Sequence, residues 1–222
     1  MNKMISQVTV SADIVTFTLH NDVLKVLLIK RPDEPHKGAW ALPGGVLVGA
    51  ETSEEAARRV LHDKAGVSDV FIEQLYTFDD PARDIRGRTI SIGYYVLVPY
   101  DKLKIQKGKT TQDPTLYNID ELPELAFDHD HVIHVAYDRL KAKVEYSNVV
   151  FSLLPRYFTF AQLQQTYEII LGRELDKRNF RKRFMSLGMI EPTGKVLEGG
   201  RHRPAQLYQF AKHSAQEVQR WI

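Results

Sequence analysis

The character of this 222-residue chain changes near Ser147. Before that point, runs rich in Val, Ile, Thr and Leu dominate; after it, short stretches with helical periodicity replace them. Charge divides at the same place. Residues 147–222 hold 12 Lys and Arg against 6 Asp and Glu, whereas residues 1–146 hold 18 against 22. The overall charge of +2 therefore joins an acidic front half to a basic back half, and only the back half suits a polyanion. Two domains are predicted, 1–146 and 147–222, each long enough to enclose a core.

In the front half, 7–20 and 23–30 read as a β-hairpin about Asn21-Asp22, a pair that tolerates turn geometry. After the Gly/Pro loop of Pro43, Gly44 and Gly45, a helix is predicted over 52–65. Thr52 and Glu55 stand at capping-box spacing, and Gly66 stops it. Strands are expected near 70–78 and 89–99, and a helix within 120–144, where Val132, Val135, Ala136, Leu140 and Val144 recur. The order is α+β or mixed α/β.

Gly45, Glu51, Arg59 and Gly66 have the spacing of a Nudix box, a loop, helix and loop that holds divalent metal against a diphosphate. The stretch reads GVLVGAETSEEAARRVLHDKAGV. The resemblance places metal-binding carboxylates at the positions of Val60, Asp63 and Lys64, on one helix face. Here they are Val, Asp and a cation. An ammonium about 4 Å from Mg²⁺, at an effective dielectric of about 20, opposes metal binding by roughly 8 kcal/mol. No catalytic residue, metal or cofactor is therefore expected. A hydrolase would have to recruit Glu51, Asp63, Glu54 or Glu55 instead.

What remains is cationic. Arg31, Arg59, Lys64, Arg86 and Arg88 are placed to meet phosphates, and Gly44 and Gly45 to let the backbone approach them. Glu51 and Arg59 either contact a ligand or merely hold loop and helix together. Residues 78–95 (FDDPARDIRGRTISIGYY) resemble the corresponding stretch of Nudix proteins that act on or bind ADP-ribose, with Asp84 and Arg86 facing ligand. Trp40 and Phe78 are candidates to stack on an adenine, or are core.

In the back half, helices are expected near 148–154, over 160–171 and over 177–187, followed by strands near 189–191 and 207–210. Helix, helix, helix, hairpin is the order of a winged helix-turn-helix. The third helix carries Lys177, Arg178, Asn179, Arg181 and Lys182 opposite its Phe180, Phe184 and Leu187 stripe, as a helix entering the major groove requires. Arg201, His202 and Arg203 form a second basic element at the hairpin tip, where a wing reaches the backbone or minor groove. Thr159, cap of the helix over 160–171, is counted with these DNA contacts.

LAFDHDHVIHVAYDRL followed by FSLLPRYFTFAQLQQTYEIILGRELDKRNFRKR resembles the Nudix-related transcriptional regulators of NAD metabolism called NrtR, over nearly the whole chain. The resemblance implies an α/β/α Nudix sandwich (α+β) fused to a winged helix-turn-helix. It also implies an often inactive Nudix domain, ADP-ribose or a related phosphorylated sugar as effector, and a homodimer that represses genes of NAD synthesis or salvage by binding double-stranded DNA. Some relatives govern sugar genes. His129 matches a family feature and is either a ligand contact or a satisfied core histidine. With 0 cysteines and no long apolar run, a cytoplasmic, bacterial, nucleoid-associated protein without a membrane partner is expected. The rival classes are an ADP-ribose pyrophosphatase and a winged helix that binds protein.

Overall fold

A computed structural model describes residues 7–68, 70–103, 114–197, 204–212, 216–218 and 220–222. In chain order the elements are β1 Thr9–His20, β2 Val23–Lys30, β3 Trp40–Ala41, β4 Gly44–Val46, α1 Ser53–Ala65, β5 Phe71–Phe78, β6 Thr89–Leu97, β7 Thr115–Asn118 and α2 His129–Val144. They continue with β8 Phe158–Thr159, α3 Phe160–Leu171, α4 Lys177–Ser186, β9 Ile190–Leu197 and β10 Ala205–Phe210.

Asn21 and Asp22 both take positive φ, 54° and 59°, which is how a two-residue link turns the chain from β1 into β2. A mixed sheet follows, with β3, β2, β1, β6 and β5 side by side. β1 and β6 run parallel over Thr9–Phe17 and Thr89–Leu97, while β5 is antiparallel to β6. β4 pairs antiparallel with the start of β1, Asp13 opposite Gly44, and β7 pairs with β2.

The predicted capping box of α1 is present: the Thr52 N–H donates to Glu55 Oε2 at 2.7 Å, and the Glu55 N–H returns to Thr52 Oγ1 at 3.2 Å. Gly66 ends the helix in the left-handed region. Ala56, Ala57, Val60 and Leu61 of α1 are buried in one cluster with Ala12, Ile14, Leu27, Tyr94 and Val96 of the sheet. That packing fixes the loop before α1 against β1 and β4.

The chain divides into two compact units, residues 1–18 with 25–137, and 19–24 with 138–222. In the second, the expected helix over 148–154 is only a 3₁₀ turn, Val149–Ser152. Pro155 lies just beyond, and the residue before a proline is steered away from the α region. The unit also takes in the end of α2. α3 and α4 match their predicted spans within a residue. β9 and β10 are longer than expected, and β10 pairs with both β9 and β8. Aromatic rings fill this core. Phe180 stacks on Phe184 at 5.6 Å, and Tyr167 and Trp221 meet both edge-on or tilted within 5.1 to 5.7 Å.

Candidate phosphate cavity and DNA-reading helix

The start of β1, the β4 loop, the end of α1 and the loop before β6 enclose a cavity of about 240 Å³. Arg31, Lys64, Arg83 and Arg86 line it, with Asp13, Asp84, Gly44, Gly45, Phe127 and His129. Gly44 is required there. A Cβ at that position would meet Asp13 Oδ1 at 2.1 Å.

A buried ionic network forms the inner wall. Arg83 donates to both Asp128 oxygens, at 3.0 and 2.7 Å, and reaches Asp13 Oδ2 at 3.3 Å; the Ser91 hydroxyl also donates to Asp13. His129 Nδ1 accepts from the Leu42 N–H at 2.9 Å, leaving Nε2 to carry the proton 3.8 Å from Asp13 Oδ2. Burial pushes the His129 pKa down, which favours the neutral ring.

Arg86 grips Asp84 through its backbone N–H, Nε and Nη2, at 3.0, 3.0 and 2.7 Å. The side-chain hydrogen bonds from Arg86 hold the Asp84 carboxyl at about 2, against the opposing effect of burial. Arg31 and Lys64 are held differently. Arg31 donates to the carbonyls of Pro35 and Asp33 at 2.8 and 3.3 Å, and Lys64 Nζ to the Gly44 carbonyl at 2.7 Å. Neither is neutralised by a carboxylate hydrogen bond. Burial lowers the pKa of both, against the opposing pull of Asp13 and other nearby carboxylates, so a bound anion would favour their charged forms.

The Nudix metal positions do not fit a metal. Val60 is a core side chain, 3.0 Å from where a Cβ on Gly45 would stand, and Lys64 puts an ammonium on the cavity wall. Asp63 is exposed and meets His62, while Glu54 pairs with Arg58 and Glu55 caps α1. Among the described residues no group of three or more His, Asp or Glu side chains is arranged to hold a metal.

Of the residues expected at the effector site, the structure brings Arg31, Gly44, Gly45, Asp84 and Arg86 together around this cavity. It keeps Glu51 and Arg59 outside its walls, joined by hydrogen bonds of 2.6 and 3.0 Å that lower the carboxyl pKa and raise that of the guanidinium. They pin the β4 loop to α1, which is the structural alternative. Arg88 is also elsewhere, donating to the Asp79 carbonyl. Trp40 packs edge-on against Tyr117 at 5.0 Å, because pairing of β3 with β2 turns it to that side. Phe78 is buried and lines a separate cavity. Sequence reasoning missed Asp13, Arg83, Phe127 and Asp128. Their partners lie tens of residues away, so no spacing signals them.

In the other unit α4 buries Phe180 and Phe184, and Lys177, Arg178, Asn179, Arg181 and Lys182 are all exposed. Asp176 caps the helix by accepting from the Asn179 N–H at 2.8 Å. Arg181 is the most constrained of the group. Its Nη2 donates to the Tyr208 hydroxyl at 2.8 Å and its guanidinium lies 4.7 Å over the Phe160 ring. Thr159, expected among the DNA contacts, is instead buried, with its hydroxyl accepting from the Gln162 N–H. It belongs to the cap of α3. Arg201, His202 and Arg203 lie outside the described residues.

The NUDIX domain model matches residues 9–136, and the model of the NrtR DNA-binding winged helix domain matches residues 150–210. The ADPR responsive transcriptional repressor NtrR of Acinetobacter baylyi is 36% identical over 206 residues, spanning 90% of this chain and 81% of that protein. The crystal structure of Shewanella oneidensis NrtR complexed with a 27mer DNA aligns with a TM-score of 0.81 at 35% identity, covering 90% of this chain and 93% of that one. The NUDIX domain of the Shewanella protein, cocrystallised with ADP ribose, aligns at 0.55 and 34% identity over 63% of this chain and 93% of its own. With both domains matched in order and a relative similar along nearly its full length, the chain belongs to the NrtR family of Nudix-related transcriptional regulators.

Proposed function

We propose that this protein is a DNA-binding transcriptional repressor whose Nudix domain binds ADP-ribose and does not hydrolyse it. The observation that carries this reading is the pair of cations Arg31 and Lys64, bonded to carbonyls rather than carboxylates, on a cavity wall where Lys64 takes a Nudix metal position and Val60, at another, is in the core. A diphosphate can pair with both cations without metal. Two relatives support the choice of ligand and output: one is named as an ADPR responsive repressor, and the NUDIX domain of the other was crystallised with ADP ribose.

In this reading α4 reads DNA through Lys177, Arg178, Asn179, Arg181 and Lys182, which are exposed on a helix whose aromatic stripe is buried. The protein acts as a homodimer on paired half-sites, and the regulated genes are those of NAD metabolism. ADP-ribose weakens DNA binding, and DNA must weaken ADP-ribose by the same factor. Titrating ADP-ribose against a labelled fragment from upstream of the protein's own gene tests this. Release of the DNA at saturating ligand is expected, with no AMP produced in the presence of Mg²⁺ or Mn²⁺. DNA affinity unchanged by saturating ADP-ribose removes it as effector, and AMP production abolished by Asp63→Ala makes the domain an enzyme.

A further inference from the structure

Residues 216–218 and 220–222 lie past the stretch 150–210 that the winged helix model matches, and they form a strap within the second unit. One edge of the strap pairs with the residues that follow α2. The Val218 N–H donates to the Tyr146 carbonyl at 2.7 Å, the Trp221 N–H to the Glu145 carbonyl at 3.0 Å, and the Asn148 N–H to the Gln216 carbonyl at 3.1 Å. Ser147 and Glu217 stand opposite each other in this antiparallel bridge. Two ion pairs flank it, Lys143 with Glu217 at 2.9 Å and Glu145 with Arg220.

The other edge of the strap reaches the basic helix. Trp221 is buried, with its ring 5.1 Å from Phe184, 5.5 Å from Phe180 and 5.2 Å from Tyr167, and its carbonyl accepts from Arg183 of α4 at 3.0 Å. The strap thus wedges the aromatic stripe that backs the basic face of α4. Its hold is finely balanced. The buried indole N–H of Trp221 donates to no acceptor among the described residues, a cost that water relieves once the ring swings out. The side chains of Glu217 and Arg220 are 67% and 71% exposed, and ion pairs so placed contribute little.

α2 belongs to both units, its residues up to Tyr137 to the first and those from Asp138 to the second. It begins at His129 on the wall of the cationic cavity, next to the Asp128 that holds Arg83, and it ends where the strap is pinned. Its 16 residues include neither Pro nor Gly, and Val132, Ile133, Ala136, Leu140 and Val144 are fully buried. Such a helix, about 24 Å long, moves as a rod and carries a displacement of its first turn to its last.

We infer that the strap is a conformational latch: seated, it holds α4 in its DNA-reading position, and ADP-ribose unseats it by displacing the first turn of α2. This rests on the reading that ADP-ribose releases the DNA. The strap is then the two-state element that both ligands bias, DNA toward the seated form and ADP-ribose toward the released one.

A reversible lock tests the latch. The chain has 0 cysteines, so Ser147→Cys with Glu217→Cys allows a single bridge within one chain, confirmed by a monomer-sized band on a non-reducing gel. Opposed residues in this kind of antiparallel pair have Cα atoms about 4.5 Å apart, within the reach of a disulfide. The oxidised full chain is expected to bind the labelled upstream fragment, with saturating ADP-ribose changing that affinity by less than about twofold. Reduction of the same sample is expected to restore a weakening of about 5- to 150-fold, the usual range of allosteric coupling. Reciprocity also requires the oxidised, DNA-free chain to bind ADP-ribose more weakly than the reduced one, which a merely structural strap would not produce. An oxidised chain that releases DNA on ADP-ribose as fully as the reduced chain overturns the latch and leaves the effector reading intact.

Val218→Pro removes the N–H that bonds Tyr146 and should act in the opposite sense, with weaker DNA binding in the absence of ligand and tighter ADP-ribose binding. Val218→Ala keeps the N–H and should match the unaltered protein. Loss of DNA binding in Val218→Pro with unchanged ADP-ribose affinity makes the strap a prop of the second unit alone, again against the inference. If ADP-ribose leaves the DNA affinity of the unaltered protein unchanged, the proposed effector falls, and the latch falls with it.

Discussion

The ammonium of Lys64 donates a 2.7 Å hydrogen bond to the carbonyl of Gly44, across the cavity mouth from α1 to β4. A metal-binding carboxylate is expected in the family at that position, so the same point on the helix now offers a proton donor and a positive charge. Lys64→Met keeps the length of the side chain and removes both. ADP-ribose affinity is expected to fall about tenfold or more, the scale of one charge-assisted hydrogen bond. Stability should move the other way. Burial lowers the folded pKa of Lys64 below 10.5, so the unfolded chain binds more protons between the two values and wild-type stability rises with pH through that window. The variant is therefore expected to be at least as stable as wild type at neutral pH. Thermal midpoints of the two proteins should converge as pH climbs toward 10.5.

Asp84 has the opposite linkage. Its folded pKa is depressed from 3.8 to about 2, chiefly by the hydrogen bonds from Arg86, so its contribution is complete above 3.8 and is lost as pH falls toward about 2. Because Arg86 is half exposed, solvent screening trims the gain to about 1 kcal/mol. Asp84→Asn should cost about that much at pH 7 in denaturant titrations. The gap between variant and wild type should narrow on acidification below 3.8. A gap that widens there would show that the carboxylate is not stabilised in its ionised form.

Removing Arg83 strands two carboxylates at once, one buried and one partly buried. Its side chain is 5% exposed, and those of Asp13 and Asp128 are 9% and 22% exposed. Breaking such a network from one side costs about 3–5 kcal/mol, because the uncompensated charges stay behind. Arg83→Ala is expected to lower the unfolding free energy from urea titration by that amount, with the midpoint falling in proportion. Adding Asp128→Asn should recover part of the loss, a coupling measured by the double-mutant cycle.

How much of this was legible depended on the distance over which each signal acts. The Thr52–Glu55 capping box, the Asn21-Asp22 turn and the αL glycine at 66 announce themselves within a few residues, and the structure has all of them. The parallel pairing of β1 with β6 leaves no such trace, and it is this pairing that sets Ser91 opposite Ser11, beside Asp13. Nothing local marks Arg83, because its partners, Asp13 and Asp128, are 70 and 45 residues away. For Arg59 the sequence left two roles open, and its pairing with Glu51, eight residues earlier, is the loop-holding one.

The basic face of α4 divides by what each side chain touches. Arg178 and Lys182 are exposed, whereas Arg181 is tied to Tyr208 and lies over Phe160. Arg178→Ala and Lys182→Ala should therefore weaken DNA binding with little effect on stability. For each phosphate contact removed, the slope of log affinity against log salt should fall by about 0.9. Arg181→Ala should do both, since the lost hydrogen bond and ring contact cost about 1 kcal/mol of stability in addition to affinity. The comparison needs binding measured at several salt concentrations and a melting curve for each variant. If Arg181→Ala melts with wild type while DNA affinity falls, Arg181 leaves Tyr208 to reach the DNA freely. If all three variants keep full affinity, α4 is not the reading helix and its positive face serves some other polyanion or none.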